Sequence, residues 1–235
     1  NRSYLSATRD VCPHCASSIE DLRRRRTPVI NWLQSAFETR QTAWLNGHSF
    51  FIPLNDFPPG TKVLTLIRHP YSRFKSEFTY FWPRIPNRHL DPCGCYNLTF
   101  DECILGAPVE CERILKVPPI YSKFFCGYSD VCNYLNSEAA LYLALQNIRD
   151  FYLIASSDDF PTSLRMLTYY LPAFDLPGIS KMRARVSDTV SKISLAALRR
   201  LDHYNQNSSE MCLYHAALSL HKQYASCFAA EQGLA

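Results

Sequence analysis

Apolar residues along the chain recur with two different periods, and the change from one to the other marks out the elements. Val63 to Ile67 and Phe151 to Ala155 are short, largely apolar runs bounded by polar or turn residues, which predicts two buried strands. After the first run, Tyr71, Phe74, Phe78 and Phe81 fall three or four residues apart. That spacing predicts a helix from Pro70 to about Phe81, with proline in its first turn and Ser72, Ser76 and Tyr80 on another side. Val29, Ile30, Leu33 and Phe37 predict a helix between Pro28 and Ala43, and a short one is expected near Phe100 to Leu105. Ser137 is the expected cap of a helix running to about Arg149; Asp158 or Asp159 caps the next, with Pro161 in its first turn. Leu195-Leu198-Leu201-Tyr204 and Met211-Tyr214-Leu218 predict two tail helices. Residues 1–27 read as a polar surface segment, 44–60 as loop, and 82–136 as a loop-dominated insert rich in Pro, Gly, Cys and Asn. Strands alternating with helices predict an α/β fold with a parallel sheet.

Composition adds bounds rather than identity. The 235 residues carry 47% apolar and 20% charged side chains, ordinary for a folded chain, and we expect a single domain over 1–235. A net charge of +4 gives no bulk attraction for nucleic acid, and no nucleic-acid partner is expected. No apolar stretch approaches the roughly 20 residues of a membrane span. No signal peptide is recognisable and the chain opens on Asn1, which suggests processing or an incomplete N-terminus. Ten cysteines and the three sequons at Asn1, Asn97 and Asn207 favour a secretory-pathway lumen over a reducing cytosol.

Candidate chemistry concentrates at Ile67-Arg-His-Pro-Tyr-Ser-Arg-Phe-Lys-Ser-Glu77. A strand ending on Arg68 and turning at Pro70 into a helix with hydroxyls in its first turns suits an anion. The open N–H groups and the helix dipole attract it, and a guanidinium adds a forked contact. The competing reading is a structural arginine paired with a carboxylate. His48, in Asn46-Gly-His-Ser-Phe-Phe51, is a lone loop histidine, which by itself reads as a bystander. Arg183, in Lys181-Met-Arg-Ala-Arg185, by itself reads as part of a solvated basic stretch. Arg23 to Arg26 read as solvated surface. Cys12-Pro-His-Cys15 is half a zinc knuckle with no complement, so a disulfide or loose thiols, and no metal, are expected there.

The Arg68–Ser76 string resembles the nucleotide 3'-phosphate motif of sulfotransferases that use 3'-phosphoadenosine 5'-phosphosulfate. Asn97-Leu-Thr-Phe-Asp-Glu-Cys103, then Cys111, then Phe124-Phe-Cys-Gly-Tyr-Ser-Asp-Val-Cys132, resembles the uronyl and heparan sulfate 2-O-sulfotransferase branch. Ser137 to Asn147 and Phe151-Tyr-Leu-Ile are similar to the helix and strand that follow there, so the likeness runs from about Ile30 to Tyr224. It implies a P-loop-like α/β sulfotransferase fold and sulfuryl transfer from that donor to the 2-hydroxyl of a hexuronic acid in a glycosaminoglycan. Arg68 and Ser76 would bind the 3'-phosphate, and His48 would be the general base, taking the proton of a poorly nucleophilic hydroxyl. Arg183, or Arg185, would stand near donor and acceptor. The family often has Asp or Glu at the position of His69, and a histidine at that of Asn46.

The same resemblance implies Cys103–Cys111 and Cys126–Cys132 disulfides; Cys93 and Cys95 are too close in sequence for an easy mutual bridge and are expected to pair elsewhere. It also implies no metal, Golgi residence as a type II membrane protein through an anchor outside this sequence, and possible homo-oligomers; the sequons predict glycans at Asn97 and Asn207. The family's K-T/S-x-x-T/S loop for the 5'-phosphosulfate is not found in residues 1–47. By order along the family that first strand–helix unit would precede Asn1. The alternative is a catalytically silent glycan-binding relative. A small-molecule kinase is disfavoured, because no G-x-x-x-x-G-K-S/T loop is present.

Overall fold

A computed structural model describes residues 4–8, 27, 30–31, 33–39, 42–46, 51–81, 93–95, 97–134, 137–172 and 193–233. In chain order the elements are β1 (Tyr4–Thr8), a helical stretch at 30–31 and 33–38, β2 (Thr42–Asn46) and β3 (Leu64–Ile67). Then follow α1 (Pro70–Phe81), α2 (Phe100–Gly106), α3 (Glu112–Leu115), α4 (Ile120–Cys126), α5 (Glu138–Ile148) and β4 (Leu153–Ser156). Helices α6 (Phe160–Tyr170), α7 (Leu195–Asn205) and α8 (Ser209–Glu231) complete the described chain. The result is a helix-rich α/β arrangement in which both strand pairs are parallel.

The chain divides into two compact units, one built from Asn1–Val63 and Ile120–Tyr152, the other from Leu64–Pro119 and Leu153–Ala235. In the first unit β1 pairs with β2, Tyr4 opposite Thr42 and Thr8 opposite Asn46. These strands correct the expectation of a polar surface segment at 1–27 and of a loop from 44. They also end the helix expected to reach Ala43, which is already extended in β2. Each strand is short and its partner is far away in sequence, so tertiary pairing decides what local pattern does not.

In the second unit β3 pairs with β4, Leu64 opposite Leu153 and Ile67 opposite Ser156, and Ser157 N–H extends the ladder to the Ile67 carbonyl at 2.8 Å. Leu153 and Ile154 are fully buried, and Leu153, Met166 and Phe228 join β4, α6 and α8 in one cluster. β3 is less covered than expected: Ile67 is inaccessible, but Leu66 is 55% exposed. Successive side chains of a strand point to opposite faces, and the face that carries Leu66 is the less covered one.

A larger core lies under α1. Tyr71, Phe74 and Phe78 are buried, as the helical spacing predicts, against Phe100, Ile104, Leu115, Ala197 and Leu201. Phe100 meets Phe74 and Phe78 edge to face at 5.4 and 5.5 Å. Asn205, 2% exposed, is fully used: it accepts from Val117 N–H and donates to the Leu115 and Leu201 carbonyls.

The disulfide pattern differs from the expected one. Cys103 bridges Cys95 and Cys111 bridges Cys93, while Cys126–Cys132 forms as expected. Gly94, at φ +68, separates Cys93 from Cys95, and each of the two takes one partner in the core. The resemblance covers Cys103 and Cys111 but assigns nothing to Cys93 and Cys95, and these intervene in the pairing. The new bridges close sequence separations of 18 and 8 residues. By loop entropy the longer contributes about 3 kcal/mol and the shorter about 2.5 kcal/mol.

Candidate functional site: a strand end and a helix start

The junction of β3 and α1 is built by two local rules. The strand ends at buried Ile67, and Pro70 begins the helix with a fixed φ and no N–H to satisfy. Arg68 and His69 span the gap, both half-buried. Arg73 N–H donates to the His69 carbonyl at 2.9 Å, the first bond of the helix, so His69 is its N-cap residue. Ser72 and Ser76, four apart on one helix face, are also half-buried. Arg68 and Ser76 therefore share the strand end and the first two turns of the helix that follows it.

Arg73 is a structural arginine: its Nη2 lies 2.6 Å from the Glu210 Oε1 and 3.1 Å from the Pro118 carbonyl, and Nε is 3.4 Å from Glu77. Glu210 is 2% exposed, so this pair fastens α1 to the start of α8 inside the core. Arg68 stands at the strand end instead. Burial pushes the Glu77 carboxyl above its ordinary range, with Arg73 drawing it down, Glu210 pushing it up and Arg68 drawing it down again. Arg68 is therefore close enough to Glu77, on the face of α1 that carries Arg73, to draw its carboxyl down.

Further groups close the base of the turn. His69 N–H donates to Asp158 Oδ2 at 2.8 Å, and the Tyr214 hydroxyl donates to the same oxygen at 3.3 Å. The Tyr71 hydroxyl donates to Asp202 at 2.8 Å, and burial, then that bond, raises its pKa. Neither Asp158 nor Tyr214 is legible as a site residue, since they are 56 positions apart with no motif around either. Asp159 occupies the N-cap of α6 as expected, but its side chain makes no cap bond; its Oδ2 lies 3.8 Å from the buried His221.

In the first unit, the Phe124–Cys132 loop holds another fixed point. Phe51 N–H donates to the Phe124 carbonyl at 2.7 Å. Gly127, at φ +88, would place a Cβ 2.7 Å from the Phe51 carbonyl oxygen, so both backbone conformation and close approach require glycine. Cys126–Cys132 closes the loop, and Asn147 donates to the Phe125 and Cys126 carbonyls at 2.8 and 3.1 Å. Phe51, buried against Phe151 with ring centroids 5.7 Å apart, follows His48 by three residues in sequence. His48 itself lies outside the described residues, as do Arg183, Arg185, Arg23 to Arg26, Cys12 and Cys15.

Asn97 and Asn207 are both exposed. Among the described residues no group of three His, Cys, Asp or Glu could hold a metal ion, and no helix is long and apolar enough to cross a membrane.

No protein-family model matches the chain. A search of curated proteins finds heparan sulfate 2-O-sulfotransferase hst-2 of Caenorhabditis elegans, 29% identical over 122 residues. The match covers 50% of this chain and 37% of the relative, well under half the length of that protein. The 2-O-sulfotransferase resemblance read from Arg68–Ser76 and from the cysteine spacing is thus supported by a curated relative.

Proposed function

We propose that the protein transfers a sulfuryl group from 3'-phosphoadenosine 5'-phosphosulfate to the 2-hydroxyl of a hexuronic acid in a glycosaminoglycan such as heparan or dermatan sulfate. The observation that carries this reading is the Arg68–Ser76 junction. A guanidinium at a strand end and a hydroxyl on the helix that begins two residues later suit the 3'-phosphate by charge and by hydrogen bonding. The similarity to a heparan sulfate 2-O-sulfotransferase agrees with it.

In this reading the fold is the P-loop-like sulfotransferase fold, and the donor supplies the sulfuryl group. Arg68 and Ser76 hold the 3'-phosphate, and Arg183 contacts donor or acceptor. His48, as neutral imidazole, removes the proton from the attacking hydroxyl. Positioning and charge stabilisation carry the in-line displacement, with no metal required. The intact protein would work in the Golgi lumen as an anchored type II membrane glycoprotein, with glycans at Asn97 and Asn207.

The test is transfer of labelled sulfate by the intact protein to desulfated heparan and dermatan chains. His48→Ala should lower kcat by about 10²–10⁴-fold with an unchanged melting curve. Arg68→Ala should weaken donor binding by about 10–100-fold, the loss expected for one charge-assisted contact. Near-normal turnover by His48→Ala would remove the base assignment. Glycan binding without any transfer would favour the silent relative.

A further inference from the structure

We propose that His69 is a positioning residue of this site: its imidazole caps α1 by accepting the Tyr71 N–H at Nδ1, so the anion-binding turn keeps its shape only while that nitrogen carries no proton. The inference deepens the donor-site reading and rests on it for its functional half. Its geometric half stands on the hydrogen bonds.

Tyr71 N–H points at His69 Nδ1 at 3.3 Å. A backbone donor there requires a lone pair, which fixes the tautomer with hydrogen on Nε2. Tyr71 is the second residue of α1, so the ring satisfies one of the N–H groups that a helix start leaves open, the duty of an N-cap side chain. Asp, Asn, Ser and Thr usually do this; here an imidazole does. The ring is fixed on both sides, edge-on to Tyr71 and to Tyr214 with centroids 5.0 Å apart in each case. The backbone N–H of His69 is tied to Asp158 Oδ2.

The charged groups facing the ring come from three elements besides α1: Asp158 after β4, Asp202 on α7 and His215 on α8. Burial is the largest influence and lowers the pKa. Asp158 and Asp202 oppose it, His215 reinforces it, and the balance falls below 6.5. The neutral ring that the Tyr71 bond needs is therefore the one the surroundings favour. Protonation would set Nδ1–H against Tyr71 N–H, two donors face to face, and the bond must break. An Asp at this position caps at any pH near neutral; His69 makes the cap conditional. Because the folded ring is harder to protonate than the unfolded one, stability is fully present above about pH 6.5 and is lost as pH falls through the depressed folded value.

The experiment compares the intact protein with its His69→Asn, His69→Asp and His69→Ala variants. Nitrogen chemical shifts of labelled histidine should show His69 as the Nε2–H tautomer near pH 7.5. Melting temperature should fall with pH in the wild type more steeply than in His69→Asn, which keeps an acceptor that does not titrate. His69→Ala should melt about 2–4 °C lower than His69→Asn at pH 7.5, the shift expected for one lost cap in a chain of this size. Binding of 3'-phosphoadenosine 5'-phosphate should weaken at acid pH more in the wild type than in His69→Asn; both share the ligand's own titration. An Nδ1–H tautomer, or identical pH profiles for wild type and His69→Asn, overturns the proposal, even if His69→Ala fails to fold. If the tautomer and melting curves agree but no protein binds the nucleotide at any pH, the cap stands. The donor-site reading, and with it the functional half of the inference, then fails.

Discussion

The turn at Arg68–Ser76 and the turn at Phe124–Cys132 both hold a few residues in place, by opposite means. The first is fixed from beneath. Three aromatics of α1 sink into a core that two disulfides tie together, and a buried Arg73–Glu210 pair fastens the helix to α8. Nothing in the turn itself is unusual apart from His69. The second is fixed from within: one short disulfide, one glycine at φ +88 and two bonds from Asn147 shape the loop around the Phe51 backbone. A platform of large buried side chains tolerates change at its edge, because the packing is shared among many residues. A loop held by single backbone contacts has no such reserve, and each contact is a separate point of failure.

Three substitutions sharpen the contrast. Glu210→Ala leaves Arg73 charged inside the core and should lower unfolding free energy by about 3–5 kcal/mol, read from urea denaturation. Replacing both partners with apolar residues of similar volume should recover most of that loss; failure to recover it would mean the pair does more than fill the core. Gly127→Ala forces a Cβ toward the Phe51 carbonyl and should cost about 1–3 kcal/mol. Amide exchange should rise at Phe51 while α1 stays protected, and equal loosening of both regions would erase the distinction drawn here. Ser137→Ala removes the hydroxyl that accepts Ala140 N–H at the start of α5, the helix that carries Asn147. The expected loss is about 1 kcal/mol, seen as a lower urea midpoint with an unchanged slope.

Much of this was legible in advance where a local pattern and its packing agree. The spacing of Tyr71, Phe74 and Phe78 marks the buried face of α1 and Ser137 marks the start of α5, while the Cys126–Cys132 bridge is legible only through the family resemblance. Tyr4–Thr8 and Thr42–Asn46 do not show in the local pattern, because neither run is apolar enough to announce a strand without the other. Cys103 and Cys111 take Cys95 and Cys93 as partners, a choice that depends on where the tertiary structure puts the two sides of Gly94.

The sequence by itself determined the chemistry available at the junction. An arginine after a strand, a proline at the helix start and a serine on its face follow from residue types at fixed spacing, and these are short-range matters. Tertiary structure decided which arginine is committed to the core, which acid faces His69, and why Gly127 must be glycine. Glu210, Asp158 and the Phe51 carbonyl come from distant parts of the chain, and a distant partner leaves no mark on the local pattern.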